Sequence, residues 1–177
     1  MKRLLPLIGF IFLGLYFLSC AATPTAWHFI DNVNLIFHEA GHWIFSLFGI
    51  FMEVLGGSLN QVLIPLLIAG YFLKNKQLVS ACVVLMWSGQ SLINVSVYAG
   101  DALKMQLPLL GGDASVHDWN WLLIYTGQLR HAAGISQSIN ALGWLLLLLG
   151  LLFGIYFILK VEDSESKTVL PPNHTLV

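Results

Sequence analysis

Residues 33–51 of the chain read V-N-L-I-F-H-E-A-G-H-W-I-F-S-L-F-G-I-F. This stretch is long and apolar enough to cross the hydrocarbon core of a bilayer, which takes about 20 apolar residues. Its first half nevertheless carries His38, Glu39 and His42, spaced as H-E-x-x-H. Ionisable side chains inside a membrane span are costly and are by default interpreted as functional. The sequence therefore predicts a membrane helix that carries a polar site.

The composition places the whole chain among membrane proteins. Of its 177 residues 57% are hydrophobic and 10% are charged, whereas a soluble domain carries about a quarter charged residues. The net charge of -1 provides no basic surface for nucleic acid. The two cysteines, Cys20 and Cys82, lie in apolar stretches and indicate neither a disulfide framework nor a cysteine metal site. We expect an all-α, multi-pass protein of the bacterial inner membrane, with lipid around it and its oligomeric state undetermined.

Hydropathy predicts a polytopic bundle of four to five transmembrane helices within a single domain over residues 1–160. The clear spans cover residues 4–22, 33–51, 77–99 and 138–159. Residues 55–73 contain a Gly-Gly pair and Pro65, which interrupt helices, so this segment is predicted to be either re-entrant or a short, kinked span. The re-entrant form is favoured because it places all the basic loops on one face of the membrane. This agrees with the rule that cytoplasmic loops carry an excess of Lys and Arg.

The remaining segments are polar. Residues 100–137 form a long loop in which 119–129 are expected to be an interfacial helix, and residues 161–177 are expected to be a disordered tail. A polar stripe also follows one face of the 77–99 span, and such a stripe should face the interior of the bundle. Its members are Trp87, Ser91, Asn94, Tyr98 and Asp101.

The H-E-x-x-H spacing predicts metal-assisted hydrolysis. His38 and His42 lie one helical turn apart, so both imidazoles can point at one ion. Zinc suits two imidazoles, one carboxylate and one water in tetrahedral geometry. Glu39 would then lie beside the metal-bound water, accept its proton and later pass that proton to a leaving amine. Asp31 and Asn34 share this helical face, so either could orient a ligand histidine.

The sequence H-E-A-G-H within a membrane span, followed by Gly-Gly, resembles the site-2 protease family of intramembrane zinc metalloproteases. The resemblance covers about residues 33–125 and implies that both histidines of the motif bind one zinc ion and that Glu39 is catalytic. In that family a second motif, typically L-P-x-x-x-L-D-G-G or N-P-D-G, supplies an aspartate ligand. The nearest counterpart here is L-P-L-L-G-G-D, in which the aspartate follows Gly-Gly. The resemblance thus implies Asp113 as third ligand and a transmembrane protein as substrate.

Three further residues compete with Asp113 for the third ligand position. Asp101 ends the polar stripe and could reach the histidines from a helix end. His117 and Asp118 follow Asp113 in G-G-D-A-S-V-H-D-W, and Asp118 also suits the N-cap of the helix that comes next. The sequence leaves these four candidates open.

Two other functions compete with the metallopeptidase. The first is a non-catalytic metal-binding membrane scaffold, which keeps the histidines without a competent third ligand. The second is a b-type haem protein, in which histidines from separate helices serve as axial ligands. The metallopeptidase is favoured because a histidine pair one turn apart, with a glutamate between, suits a tetrahedral ion better than a flat macrocycle.

Overall fold

The computed structural model describes residues 4–108 and 116–168, with side chains up to Lys160. Of these residues 87% are helical, and none forms a β-strand. The all-α class predicted from the sequence is therefore confirmed. The helices in these ranges are α1 (Leu4–Ala22), α2 (Phe29–Phe45), α3 (Ile50–Lys74), α4 (Leu78–Gly100), α5 (Asp118–Tyr125) and α6 (Ala132–Thr168).

Four helical segments are long and apolar enough to cross a membrane. They are Leu4–Ala22, Ile50–Lys74, Leu78–Leu103 and Leu129–Lys160. The histidine helix α2 has 17 residues and is not among them. Two predicted spans, 4–22 and 138–159, lie within these segments. The predicted span 77–99 begins one residue before the segment Leu78–Leu103.

The helix that carries the histidines ends earlier than residues 33–51 predict. Helix α2 begins at Phe29, ends at Phe45 and is followed by a 3-10 turn over Ser46–Phe48. The chain then reverses at Gly49, whose φ of +90° is a conformation that only glycine adopts without strain. The stretch is therefore a helix and a turn, and the turn lets α3 return along α2.

Residues 55–73 lie within one continuous helix, Ile50–Lys74, which is long and apolar enough to cross a membrane and so agrees with the alternative of a span and not with the favoured re-entrant form. Pro65 is buried in the interior of α3 without ending the helix. The Gly-Gly pair is buried as well and serves helix packing, because small residues let two helix backbones approach closely. A Cβ added to Gly56 would lie 2.7 Å from the Gly41 carbonyl oxygen, and one added to Gly41 would overlap the Gly56 carbonyl.

The last two helices also differ in extent from the prediction. The segment 119–129, expected to be an interfacial helix, contains helix α5, which ends at Tyr125, because Gly127 turns the chain with a φ of +67°. Helix α6 runs on to Thr168, so residues 161–168 of the tail expected to be disordered are helical. A helix that has already nucleated extends at little further cost.

The buried side of α2 is polar and faces the polar stripe of α4. The Oδ1 atom of Asp31 accepts hydrogen bonds from the side-chain amides of Gln90, at 2.8 Å, and Asn94, at 3.2 Å. The Oδ1 atom of Asn34 accepts one from the indole N–H of Trp87 at 2.8 Å. Because buried polar groups are costly unless paired, this network fixes the rotation of α2 about its axis.

Candidate metal centre

Three side chains from two distant parts of the chain converge at the C-terminal half of α2. One ligand atom each from His38, His42 and Asp118 lies within 4.8 Å of the other two. Asp118 Oδ2 is 2.9 Å from His38 Nε2 and 3.4 Å from His42 Nε2. Within residues 4–108 and 116–160, this is the one group of three or more potential metal ligands with such spacing.

The donor set is one that could hold a divalent metal ion. Two imidazole nitrogens and a carboxylate oxygen are a ligand combination that zinc enzymes use, with a fourth position left open. Bonds of about 2.0–2.1 Å at tetrahedral angles place ligand atoms roughly 3.3 Å apart. The two distances from Asp118 Oδ2 to the imidazole nitrogens, 2.9 and 3.4 Å, bracket that value. The ligand nitrogens of the two histidines lie within 4.8 Å of each other, so the three ligand atoms could converge on one ion.

A backbone carbonyl orients one of the histidines. His42 Nδ1 is 2.9 Å from the carbonyl oxygen of Glu53. Since a carbonyl can only accept, His42 donates its Nδ1 proton to Glu53, and Nε2, which faces Asp118, is the nitrogen available to bind a metal. The Glu53 carbonyl could not be predicted as a partner of His42 from the sequence, because every residue has a backbone carbonyl.

Asp118 is held at the start of α5. The N-cap is His117, whose Nδ1 accepts from the backbone N–H of Asn120 at 3.2 Å, so the prediction of Asp118 as the N-cap is wrong. Burial raises the pKa of the Asp118 carboxyl, but hydrogen bonds from His38 and His42 outweigh burial and hold this pKa below its ordinary value. The side chain is therefore a carboxylate, which is the form that binds metal.

The other candidate ligands are placed differently. Asp101 accepts hydrogen bonds from the backbone N–H groups of Gln106 and Leu107 and lies 3.3 Å from His117 Nε2. Asp101 and His117 therefore stabilise the turn after α4 and the start of α5. Asp113, implied by the family resemblance, lies outside the described residues. Asp31 and Asn34 bond to α4, as described above, and no described hydrogen bond joins them to the ligand histidines.

The centre opens onto a cavity of about 750 Å³. His38, Glu39, His42 and Asp118 all line this cavity, and the Glu39 side chain is exposed within it. The volume lies in the range of ligand-binding clefts. The candidate general base therefore shares one solvent-reachable space with the candidate ligands, as hydrolysis requires.

The Nε2 atoms of His38 and His42 lie against Gly57 of α3, a residue without a side chain. A Cβ added to Gly57 would come within 2.6 Å of the Nε2 atoms of both His38 and His42. A methyl group at this position would therefore push both imidazoles out of the arrangement that faces Asp118. A larger residue at 57 is incompatible with this metal site.

Gly57→Ala is expected to weaken binding of a divalent ion such as zinc. Overpacking of this kind costs about 1–3 kcal/mol, which corresponds to roughly 10–100-fold in the dissociation constant. Titration of the purified protein with zinc measures the change. Gly70→Ala on the same helix is the matched control, because a Cβ at Gly70 meets nothing within 4 Å. Equal zinc affinities of the two variants would contradict this position of Gly57.

No protein-family model, curated protein or solved structure matches this chain. The class of protein is therefore described from the fold and the candidate metal site alone. The described residues form an all-helical protein with four segments long and apolar enough to cross a membrane and a group of two histidines and one aspartate that could hold a metal ion.

Proposed function

We propose that this protein is a multi-pass membrane zinc metallopeptidase that hydrolyses peptide bonds within or next to the bilayer. The observation that carries the proposal is the convergence of His38, His42 and Asp118 in the wall of a cavity that also contains Glu39. These residues offer three candidate metal ligands and a carboxylate that lines the same cavity.

The outer surface of α2 supports its placement in lipid. Phe29, Ile36 and Trp43 are 78%, 67% and 83% exposed, while Asp31 and His38 are buried. Seventeen residues of helix measure about 25 Å, close to the thickness of the hydrocarbon core. An apolar face outward and a polar face inward are expected for a helix in a bundle surrounded by lipid.

The basic residues support an orientation. The α3–α4 connection carries Lys74 and Lys76, and Lys160 is at the same end, because α6 runs antiparallel to α4 with Gly150 against Cys82. By the positive-inside rule this end is cytoplasmic. Helix α4 ends at the opposite face, where α5 begins, so the metal centre lies in the non-cytoplasmic half.

The chemistry divides between the ion and the chain. When bound, zinc supplies Lewis acidity, which lowers the pKa of water and polarises a carbonyl group. The Glu39 carboxylate accepts a proton from the water whose oxygen forms the new bond to the carbonyl carbon. Glu39 then donates that proton to the amine nitrogen as the C–N bond breaks. The products are a carboxylic acid and an amine, with the water oxygen in the acid.

Metal removal tests the proposal. We expect the purified protein to contain one zinc ion per chain and to cleave single-span membrane polypeptides in liposomes. A zinc chelator should abolish cleavage, and added zinc should restore it, because Glu39 alone cannot activate water sufficiently. Mass-spectrometric identification of the products measures cleavage. Undiminished cleavage by the metal-free protein would refute the proposal, whereas bound zinc without any hydrolysis would indicate a non-catalytic metal protein.

A further inference from the structure

Tyr98 connects the two parts of the candidate metal centre. It lies near the end of α4 and lines the same cavity as the candidate ligands. Its ring centroid is 5.9 Å from that of His38 on α2 and 4.4 Å from that of His117 at the start of α5. Its hydroxyl accepts a hydrogen bond of 3.0 Å from the backbone N–H of Asp118. The Tyr98 side chain thus lies between the two segments that supply the candidate ligands, α2 and the start of α5.

The backbone N–H of Asp118 needs a partner from outside its own helix. The first N–H groups of an α-helix have no acceptor within the helix. The N-cap His117 is engaged with Asn120, two residues further on, and leaves the Asp118 N–H for another group. The Tyr98 hydroxyl fills this role, and it does so at the residue whose carboxylate faces the histidines.

The other contacts of α5 hold the helix without fixing Asp118 itself. Trp119 donates its indole N–H to the Ser58 hydroxyl at 3.0 Å, and Asn120 donates its side-chain amide to the Ala102 carbonyl at 2.8 Å. Both residues lie on the C-terminal side of Asp118. The bond to Tyr98 is the hydrogen bond that holds the backbone N–H of Asp118, the residue whose carboxylate faces His38 and His42.

We propose that Tyr98 is a positioning residue for the metal, whose hydroxyl holds Asp118 in place to complete the ligand set with His38 and His42. This inference rests on the metal centre of the proposed function and adds to it a residue outside the ligand set. Groups that orient ligands in this way are worth about 10–100-fold in metal affinity. Tyr98→Phe, which removes a single oxygen atom, should lower zinc affinity by about that factor.

The test is zinc titration of the full-length protein in detergent, with Co²⁺ as a spectroscopic probe of coordination geometry. Tyr125→Phe is the matched control, because Tyr125 is 68% exposed at the other end of α5. We expect the control to bind zinc like the wild type and Tyr98→Phe to bind it more weakly. The Co²⁺ absorption of Tyr98→Phe should also lose the intensity of a four-coordinate site.

A double-mutant cycle separates positioning from a general structural role. If Tyr98 acts through Asp118, adding Tyr98→Phe to Asp118→Ala should change zinc affinity by less than about twofold, since coupled residues are not additive. An equal loss of affinity in both backgrounds would overturn the inference, as would wild-type affinity and an unchanged Co²⁺ spectrum in Tyr98→Phe. Failure of the wild-type protein to bind zinc would overturn the proposed function as well.

Discussion

Glu39→Gln is expected to reduce peptide hydrolysis by roughly 10²–10⁴-fold, the usual contribution of general acid–base catalysis. Glutamine has nearly the shape of glutamate but cannot accept a proton from water or return it to the leaving amine. Zinc should stay bound, because Glu39 is not one of the three converging ligands. The measurement is kcat for a cleaved polypeptide, together with the zinc content of the same preparation.

Glu53→Gln provides a control on the same cavity wall. Glu53 lines the cavity and has an exposed side chain, and it orients His42 through its backbone carbonyl, which the substitution leaves in place. We expect this variant to keep both zinc and most of its activity. If Glu39→Gln retained wild-type kcat, the proton transfer would have to be assigned elsewhere. If it lost zinc, Glu39 would be a ligand instead of a base.

The features that could be predicted from the sequence are those that depend on residues close together in the chain. His38 and His42 lie one turn apart, and helix periodicity alone places them side by side. The end of α2 was harder to predict, since residues 43–51 are apolar apart from Ser46 and the chain reversal is evident only from the backbone at Gly49. Similarly, Gly-Gly and Pro65 are helix breakers in isolation, but tertiary packing against α2 outweighs this preference.

The third candidate ligand, Asp118, could not be predicted from residues close together in the chain. Asp118 is 80 residues from His38 along the chain, and no local pattern reports that distance in space. The family resemblance implies Asp113, because the Leu-Pro and Gly-Gly elements precede it. The structure brings Asp118 to the histidines, while Asp113 lies outside the described residues, and His117 occupies the N-cap position that the sequence assigns to Asp118. With the cap occupied by its neighbour, the Asp118 carboxylate is left to face α2.

Asp118→Ala is therefore expected to lower zinc affinity by more than the roughly 100-fold that loss of an orienting group can cost, because it removes a direct ligand. His38 and His42 would remain, and two imidazoles alone hold the ion weakly. Hydrolysis should fall with zinc occupancy at limiting metal concentration. Zinc content per chain and titration with a competing chelator measure the change.

Asp113→Ala is the informative comparison, because sequence resemblance and structural geometry assign the third ligand to different aspartates. If the geometry is correct, Asp113→Ala should keep wild-type zinc affinity and the Co²⁺ spectrum of a four-coordinate site, while Asp118→Ala should lose both. The reverse pattern would show that the contacts of Asp118 with the two imidazoles are ordinary hydrogen bonds and that the ligand set proposed above is wrong. Because both variants exchange an aspartate for alanine a few residues apart, a general loss of negative charge cannot account for a difference between them.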